Sequence, residues 1–274
     1  MIEVKDLRKS FDGVEVLKGI TTTFETGKVN LVIGQSGSGK TVFLKSLLNV
    51  YEPTSGHILF DGRDIVGMSR QEKEALRAEI GTVFQGSALF DSMTVQDNIM
   101  FPLDMFTNLT FTEKKKRVKE VIGRVHLENA EKKFPSEISG GMQKRVAIAR
   151  AIVNNPRYLF CDEPNSGLDP FTANIIDDLI AEITEEYNTT TIINSHDRNS
   201  VMTIGEKIVY LRKGIKEWEG TKDILITSDN NYLIDFVYSS ELFKELREYL
   251  IKINKTSIDN IITTVENETD QENT

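Results

Sequence analysis

The sequence predicts an α/β fold organised around a phosphate-binding loop, and three observations predict it. An apolar run, Val29 to Ile33, has the composition of a buried strand. It leads directly into a glycine-rich stretch, Gly34 to Thr41, and then into a helical pattern that extends to Asn49. Two later apolar runs, Tyr158 to Asp162 and Thr190 to Asn194, also have the length of buried strands. This order is typical of a parallel sheet that binds ligands beyond the carboxyl ends of its strands.

The stretch Gly34 to Thr41 fits the pattern G-x-x-x-x-G-K-[ST], and each part of it has a physical task. Glycines at positions 34, 37 and 39 let the backbone curl so that its N–H groups point inward and hold phosphate oxygens. The positive end of the following helix adds to that field. Lys40 is placed to reach the β- and γ-phosphates of a nucleotide, and the Thr41 hydroxyl is placed to bind Mg²⁺. Kinases, GTPases and motor ATPases share such a loop, so it does not distinguish among them.

Composition excludes several classes of function. The 274 residues carry a formal net charge of −9 and a pI near 5.1, which argues against a nucleic-acid binder because phosphate contacts need a basic face. The single cysteine, Cys161, allows no intrachain disulfide and suits a reducing cytosol. Residues 1–5 contain no apolar signal core, and no run approaches the roughly 20 apolar residues of a membrane span. We therefore expect any membrane association to come through a partner.

Phe11 precedes a turn at Asp12 and Gly13, in a region that we expect to form short strands. A lone aromatic residue there either anchors the core or a turn, or forms a platform for an adenine ring, and the sequence leaves both interpretations open.

The remaining secondary structure is predicted from short apolar runs and turns. We expect strands at Ile2 to Val4, Glu15 to Leu17, Thr21 to Phe24, Gly56 to Phe60, Lys207 to Leu211 and Ile215 to Glu219, and a short exposed helix at Gln71 to Glu79.

Gln85 follows a predicted strand, Ile80 to Phe84. A carboxamide at a strand tip beside a nucleotide can bind Mg²⁺ and sense the attacking water. The alternative is a loop amide that bonds only to backbone, and the local sequence alone favours that alternative.

The sequence changes in character after Ser87. Apolar residues first occur without a clear period and then recur at helical spacing from Thr112 to about His126, which predicts an inserted helical subdomain. The run Lys114 to Arg117 lies on the other face of that helix. We expect this run to face solvent rather than a lipid headgroup or a protein partner.

A second candidate anion site is the stretch Ser139 to Gln143, which directly precedes a helix rich in small and basic residues. A serine followed by two glycines at a helix N-terminus offers a hydroxyl, free N–H groups and the helix dipole. The alternative is an ordinary N-cap. A second phosphate-type site some hundred residues after the first suggests that another copy of the chain supplies it.

Acidic and basic residues follow two further predicted strands. Asp162 and Glu163 end an apolar strand, where burying carboxylates is costly unless a charge such as phosphate-bound Mg²⁺ is near. Asp162 would hold the metal or its waters, and Glu163 would orient or deprotonate the hydrolytic water. His196 stands at the tip of the strand Thr190 to Asn194, which favours a role at the ligand. Asp169 starts a helix, and its alternative role is a cap.

The last part of the chain differs from the rest. After about Val237, apolar residues at helical spacing from Leu242 to Ile253 predict an amphipathic helix that packs on its own domain or on a neighbouring copy. Its mixed charges argue against a membrane-surface role. Beyond Asn267 the chain is polar and acidic, which predicts disorder.

These motifs together resemble those of the ATP-binding cassette (ABC) ATPases, over nearly the whole length to about residue 238. The resemblance implies a P-loop NTPase fold, with a RecA-like parallel sheet core, an antiparallel β subdomain and a helical subdomain at about 87–155. It divides the chain into an ABC ATPase domain, 1–238, and a C-terminal extension, 239–274. The matching motifs are Phe11 (A-loop), Gly34 to Thr41 (Walker A), Gln85 (Q-loop), Ser139 to Gln143 (signature), Tyr158 to Asp162 (Walker B), Glu163 (catalytic glutamate), Ser166 to Asp169 (D-loop) and His196 (H-loop).

The resemblance also implies a transport-coupled ATPase that works as a head-to-tail homodimer with two ATP molecules at the interface. Phe11 would stack on adenine, Gln85 would link Mg²⁺ to the helical subdomain, and His196 would contact the γ-phosphate. The implied catalytic residues are Glu163, His196, Gln85 and Lys40; the nucleotide-binding residues are Phe11, Gly34, Gln35, Ser36, Gly37, Ser38, Gly39, Lys40, Thr41, Val42, Ser139, Gly140, Gly141, Met142 and Asp169; and the Mg²⁺ ligands are Thr41, Gln85 and Asp162. The sequence departs from the family at Ile138 (usually Leu), Met142 (usually Gln) and Asn165 (commonly Thr), and none of these removes a catalytic group.

A narrower resemblance concerns the kind of transporter that the ATPase would serve. The stretch Val83 to Phe90, with Met93 to Asn98, Pro102 and Leu103, is similar to ATPase subunits of phospholipid transporters that work with Mce-type lipid-binding proteins. It implies a transmembrane permease, an Mce-type protein in the same complex, and a peripheral position on the cytoplasmic face of the plasma membrane. The alternatives are an ATPase of another transporter, for amino acids, ions or peptides, and a soluble ABC assembly factor or repair motor. A non-enzymatic nucleotide-gated module would require a degraded Glu163 or His196.

Overall fold

The computed structural model describes residues 1–239, 241 and 244–252. The chain forms two compact units, residues 1–219 and the part that begins at Gly220. The predicted disordered tail and part of the predicted C-terminal amphipathic helix lie outside the described residues. Over the described residues, none of the helices combines the length and the apolar character needed to cross a membrane.

The described elements alternate between strands and helices. The strands are β1 Ile2–Phe11, β2 Val14–Phe24, β3 Lys28–Ile33, β4 Ser55–Phe60, β5 Arg63–Asp64, β6 Ile80–Val83, β7 Tyr158–Asp162, β8 Thr190–Ser195, β9 Lys207–Arg212 and β10 Ile215–Gly220. The helices are α1 Lys40–Leu47, α2 Arg70–Ala78, α3 Val95–Phe106, α4 Phe111–Arg124, α5 Gly140–Ile152, α6 Pro170–Tyr187, α7 Arg198–Thr203, α8 Lys222–Thr227 and α9 Asn231–Val237, with a 3₁₀ turn at Pro135–Glu137.

The larger sheet has six strands in the order β10-β9-β3-β8-β7-β6. Neighbours from β9 through β3, β8 and β7 to β6 run parallel, so their carboxyl ends meet at one edge. The predicted α/β architecture is therefore confirmed. The register pairs Ile33 with Ser195, and Asp162 with Asn194, which brings the ends of β3, β7 and β8 together.

The smaller sheet has the order β2-β1-β4-β5, and its paired strands are antiparallel. Three short strands were expected here at Ile2 to Val4, Glu15 to Leu17 and Thr21 to Phe24, and that expectation is wrong. Two long strands take their place, with register shifts along their pairing. Asp6 (φ 46°) and Gly19 (φ 85°) adopt left-handed backbone within them, which interrupts the alternation of apolar residues without ending the strands.

The main core lies where the two sheets and α1 meet. Phe24 of the small sheet packs near Phe43 of α1, with ring centroids 6.0 Å apart, and Phe60 contacts Tyr158 of the large sheet at 4.9 Å. All four side chains are buried. This packing fixes α1, and with it the loop between β3 and α1, against both sheets.

Three helices of the predicted insertion, α3, α4 and α5, pack on one another through buried apolar residues. The expectation that Lys114 to Arg117 faces solvent is wrong for the two end residues. Lys114 pairs with Asp104 at 2.8 Å, and Arg117 donates to the backbone carbonyl of Val153 at 2.9 Å. The run therefore ties α4 to α3 and to the end of α5, and only its two middle lysines are fully exposed.

The second unit contains α8, α9 and a helical segment at 244–252. Arg247 of that segment donates to the backbone carbonyls of Ile226 and Ser228 at 3.0 and 2.9 Å. Its guanidinium also lies 5.6 Å from the ring centroid of Tyr238. These contacts hold the segment to the ends of α8 and α9.

Candidate active site

The loop between β3 and α1 has the backbone shape that its glycines predict. Gly34, Gly37 and Gly39 have φ values of 154°, 77° and 105°. A Cβ on Gly34 would lie 2.3 Å from the carbonyl oxygen of Leu211, so that position requires glycine for space as well. Within the loop and the following turn, Gln35, Ser36, Gly37 and Thr41 are exposed, Val42 is half-buried, and Ser38 and Lys40 are buried.

Lys40, the first residue of α1, folds its side chain back over the loop. Its Nζ donates to the carbonyl oxygens of Gly34 and Gln35 at 2.7 and 3.1 Å. Burial lowers the pKa of this ammonium, while the carboxylates of Glu163 and Asp162 oppose that shift. One cation and two acids therefore share one cleft, which we call the nucleotide cleft: the loop 34–41 with Asp162, Glu163 and His196.

Asp162 ends β7 beside Asn194 of β8. The Asn194 Nδ2 atom donates to Asp162 Oδ1 at 3.2 Å and to the carbonyl oxygen of Lys40 at 3.1 Å. Burial raises the pKa of Asp162. Asn194 was not predicted as a site residue, although it joins the phosphate loop to the acidic strand end.

Glu163 sits between two other predicted residues. Its Oε2 accepts from Gln85 Nε2 at 2.9 Å, and its Oε1 lies 3.0 Å from His196 Nδ1. The backbone N–H of Glu163 donates to the Asn194 carbonyl at 3.0 Å, and its φ is 47°. A glutamate in the left-handed region is strained, and such strain is concentrated at functional sites.

The segment 85–90, which follows β6, is held by two cations of α5. Lys144 donates to the carbonyl oxygen of Gln85, and Arg150 donates to those of Ser87 and Ala88, both at 2.7 Å. Ser87 and Ala88 have φ values of 58° and 47°. Burial lowers the pKa of both cations, and neither forms an ion pair with a carboxylate in the described part of the chain.

A cavity of about 450 Å³ adjoins this segment. Its wall is mostly apolar and includes Phe84, Phe90, Phe101 and Phe106, with Arg150 as its charged member. We call it the Q-loop groove. Phe90 and Phe101 pack at a centroid distance of 4.8 Å, so the segment 85–90 and α3 contact each other in its wall.

The stretch Ser139 to Met142 spans the N-cap and the first turn of α5, and its contacts are with its own helix and with the region around α6. The Ser139 hydroxyl accepts from the backbone N–H of Met142 at 3.3 Å, as an N-cap does. A Cβ on Gly141 would lie 2.8 Å from a methyl group of Thr172 in α6, and one on Gly140 would lie 3.9 Å from Leu168. Among the described residues, none of the hydrogen bonds joins this stretch to the loop 34–41.

Asp169 caps α6. Its carboxylate accepts from the backbone N–H and the hydroxyl of Thr172 at 3.0 and 2.6 Å, and these bonds lower its pKa. The cap alternative therefore describes its contacts within one chain.

Asn165, four residues earlier, is the centre of a buried polar cluster. Its Nδ2 lies 3.3 Å from both carboxylate oxygens of Asp177 and 3.0 Å from the Ser200 hydroxyl, which itself donates to Asp177 at 2.6 Å. Burial raises the pKa of Asp177 to about 6. The cluster joins the stretch before α6 to α6 itself and to α7, the helix that follows His196.

Phe11 ends β1 and remains partly exposed. Its ring meets Tyr51 edge-on at 5.1 Å, and the Lys9 ammonium lies 4.8 Å from its centroid. Tyr51 follows α1, so the ring is fixed near the end of the helix that begins in the nucleotide cleft.

Two buried polar atoms of the cleft have no hydrogen-bond partner within the described chain. They are Ser38 Oγ of the loop and Asn194 Oδ1 beside Asp162. Buried polar atoms are nearly always paired, so unpaired ones at a glycine cradle fit a bound polar ligand. Oxygen donors from Thr41, Asp162 and Gln85 are also the type that Mg²⁺ prefers. The residues present thus fit a magnesium nucleotide.

More than half of the chain matches one protein family. The model described as "ABC transporter" matches residues 17–166, which include the phosphate loop, the segment 85–90, the stretch Ser139 to Met142 and Glu163. The chain belongs to the ABC transporter family. The matched residues form the ATP-binding and ATP-hydrolysing domain of that family.

Similar proteins are also named as ATP-binding proteins. The chain is 39% identical over 236 residues to the probable ribonucleotide transport ATP-binding protein mkl of Mycobacterium tuberculosis, covering 86% of this chain and 66% of that protein. It is 37% identical over 216 residues to the cell division ATP-binding protein FtsE of Bacillus subtilis, covering 78% of this chain and 94% of FtsE. The methionine import ATP-binding protein MetN 2 of Oceanobacillus iheyensis is 38% identical, and the chain spans 65% of its length.

Solved structures confirm the ABC cassette fold. A dimeric ABC transporter cassette, MJ0796, is 32% identical, with a TM-score of 0.74, covering 81% of this chain and 98% of that one. The same cassette is known in a post-hydrolysis state bound to ADP and Pi. The protein cbiO1 of Clostridium perfringens, part of the transporter complex cbiONQ, is 30% identical with a TM-score of 0.78, covering 91% of this chain and 98% of cbiO1.

Proposed function

We propose that this protein is the ATP-hydrolysing subunit of a membrane transporter, and that two copies close head-to-tail around two ATP molecules. One observation carries the proposal. Lys40, Asp162, Glu163, Gln85 and His196 are linked around one cleft, whereas among the described residues no hydrogen bond joins the Ser139 N-terminus of α5 to the loop 34–41 of its own chain. A second copy would place its signature stretch, Ser139 to Met142, on the γ-phosphate, with Asp169 next to it. The dimeric state of the MJ0796 cassette supports this arrangement.

Within the cleft, the loop 34–41 would hold the phosphates through its N–H groups and Lys40, and Phe11 would stack on the adenine. Val42 lies on the first turn of α1 beside them. The Lys40 ammonium would leave the carbonyls of Gly34 and Gln35 for phosphate oxygens. Lys40→Ala should therefore weaken ATP binding about a hundredfold or more, because the buried cation provides a strong charge-assisted contact. Calorimetric titration with ATP would measure it, and unchanged affinity would remove Lys40 from the site.

Thr41, Asp162 and Gln85 would hold Mg²⁺, which when bound neutralises charge that develops on the phosphates. In hydrolysis, the oxygen of a water attacks the γ-phosphorus, the bond to the β–γ bridging oxygen breaks, and ADP leaves. Glu163 accepts a proton from the attacking water, and its two bonds, to Gln85 and His196, fix its carboxylate for that task. The other ring nitrogen of His196, Nε2, would contact the γ-phosphate.

ATP favours the closed dimer because it contacts both copies, and hydrolysis removes the γ-phosphate link between Lys40 and the partner copy's signature stretch. The dimer then loosens. The Q-loop groove would carry this motion to a permease. It is apolar, it adjoins Gln85, and it has space for a helical segment of a transmembrane partner. Through that partner the protein would lie on the cytoplasmic face of the plasma membrane.

For the cargo we propose phospholipid, in a system with an Mce-type lipid-binding protein. The support is the sequence from Val83 to Leu103, which runs from the last residue of β6 through the segment 85–90 into α3 and contributes to the wall of the Q-loop groove. The domain organisation proposed with it is an ATPase domain, 1–238, and an extension, 239–274. A second candidate is a transporter of another cargo, favoured by the relatives described as serving ribonucleotides and methionine.

Affinity purification from detergent-solubilised membranes would separate the two. The phospholipid proposal predicts a copurifying permease, an Mce-type protein and bound phospholipid. A permease with a soluble-solute receptor and no bound lipid would reject the cargo and leave the ATPase assignment intact.

A further inference from the structure

The turn between α3 and α4 exposes an apolar cluster of four residues, of which only Phe106 also belongs to the wall of the Q-loop groove. Met105, Phe106, Leu109 and Phe111 are 59%, 40%, 40% and 62% exposed. No other seven-residue stretch in the described part of the chain exposes more than two large apolar side chains. Such clusters on a soluble surface usually mark interaction sites. We call this turn the α3–α4 tip.

Hydrogen bonds and an ion pair hold the backbone of the tip on both sides of the turn. The Thr107 hydroxyl donates to the Leu103 carbonyl at 2.7 Å and closes α3. Thr110 and Glu113 form a capping box that starts α4. Lys114 joins the two helices through Asp104 at 2.8 Å.

Three lysines without an ion-pair partner among the described residues lie on the α4 side of the tip. Lys115, Lys116 and Lys119 are exposed and make no ion pair with any described residue. The Lys115 ammonium lies 4.6 Å from the Phe111 ring centroid, on the same stripe of α4. Nearby acids are already engaged: Asp104 by Lys114, Glu120 by Arg117 at 3.4 Å, and Glu113 by its cap. The tip is therefore locally basic on a chain whose net charge is −9.

We propose that the α3–α4 tip is a membrane-contact surface, which sets its apolar side chains among the headgroups of an anionic bilayer while its lysines bind lipid phosphates. Protein interfaces are depleted in lysine, whereas interfacial membrane segments combine aromatic or leucine residues with lysine. Met105 and Phe111, the two most exposed members of the tip, lie outside the wall of the Q-loop groove. The inference rests on the proposed function only in placing the protein beside a membrane.

Cosedimentation of the full chain with vesicles tests it. The expected result is binding to vesicles of phosphatidylcholine with phosphatidylglycerol, weakened by salt, and little binding to phosphatidylcholine alone. The double variant Met105→Asp, Phe111→Asp should lower the vesicle affinity about tenfold or more. Lys115→Gln with Lys119→Gln should lower it several-fold and only for the anionic vesicles.

Val66→Asp is the matched control, because Val66 is a 41% exposed apolar residue outside the tip, and its binding should not change. Equal binding to both vesicle types, or tip variants that bind as the wild type does, would overturn the proposal. Loss of permease copurification with unchanged vesicle binding would also overturn it, in favour of a protein partner. ATP hydrolysis by the same samples reports separately on the proposed function, and thermal unfolding confirms that each variant folds.

Discussion

The nucleotide cleft and the segment 85–90 beside the Q-loop groove both contact cations whose pKa is lowered by burial, and the two regions use these cations differently. In the cleft, Lys40 lies in the field of two carboxylates, Asp162 and Glu163. Beside the groove, Lys144 and Arg150 donate hydrogen bonds only to backbone carbonyls of the segment 85–90 among the described residues, and the Glu163 carboxylate opposes the lowered pKa of Lys144. In the cleft, the ammonium of Lys40 bonds to carbonyls of the loop that it would exchange for phosphate oxygens. Lys144 and Arg150 instead hold the strained backbone of the segment 85–90 in one shape.

Gln85 belongs to both regions. Its carbonyl is held by Lys144 and its carboxamide holds Glu163, so the shape of the groove and the position of the catalytic carboxylate depend on one residue. Changes in the cleft should alter the chemistry itself, whereas changes in the groove should alter how well the chemistry is positioned.

The largest expected effect is on turnover in the cleft. Glu163→Gln keeps the size of the side chain and loses the base, so hydrolysis should fall by about a thousandfold while ATP affinity stays within a few-fold. A phosphate-release assay and a nucleotide titration measure the two quantities. Near-normal hydrolysis by this variant would reject Glu163 as the base.

The next effect concerns stability behind the cleft, at Asp177. Its pKa is raised from 3.8 to about 6, so the folded protein binds this proton more tightly than the unfolded chain does. This contribution to stability is present below about pH 4 and is lost as the pH rises through about 6. The free energy of unfolding, compared with that of Asp177→Asn, should fall by at most about 3 kcal/mol between pH 4 and pH 7.

Denaturant unfolding over that pH range measures the change. The matched control is Asp178→Asn, because Asp178 is the exposed neighbour on the same helix, and its difference from wild type should not depend on pH in this way. Parallel pH profiles for wild type and Asp177→Asn would show that the proton at Asp177 is not linked to folding.

A smaller effect is expected in the groove. Lys144→Met removes the donor to the Gln85 carbonyl, so Gln85 should hold Glu163 less firmly and kcat should drop about tenfold with little change in KM for ATP. Hydrogen exchange should accelerate at residues 85–90 and not along α5. Arg145→Gln is the control on the same helix, because Arg145 donates a hydrogen bond only to the His126 carbonyl, at 3.4 Å, within the part of the chain that the structure describes. If both variants behave alike, Lys144 is not a positioning residue.

The smallest effect on the isolated protein is expected at Phe90, in the wall of the Q-loop groove. Phe90→Asp places a charge in the apolar wall, so it should prevent permease copurification while leaving ATP affinity within about twofold of wild type. Retained copurification would argue against the groove as the docking surface.

Much of the cleft is predictable from the sequence because its parts are local. Short apolar runs define β3, β7 and β8, and the residue that follows each run is then placed at the shared edge by the parallel sheet. The phosphate loop is predictable for the same reason, because glycine conformations depend on a few neighbouring residues.

What could not be predicted depends on distant partners. Lys144 and Arg150 look like ordinary helix cations, and only the fold brings them to carbonyls more than fifty residues away. Asn165 stands where ABC ATPases commonly have Thr, but the sequence does not indicate the buried cluster that Asn165 joins. The length of β1 was not predicted because Asp6, which has a left-handed backbone within the strand, interrupts its alternation of apolar residues.

The central claim is that each ATP is enclosed by two copies, and the mass of the Glu163→Gln variant in solution tests it most directly. With Mg²⁺ and ATP, light scattering should show a dimer, twice the 31.0 kDa of one chain, and a monomer without nucleotide. Adding Ser139→Arg should leave ATP binding intact and abolish the dimer. A Glu163→Gln variant that stays monomeric when saturated with ATP, or a Ser139→Arg form that dimerises equally well, would contradict the account.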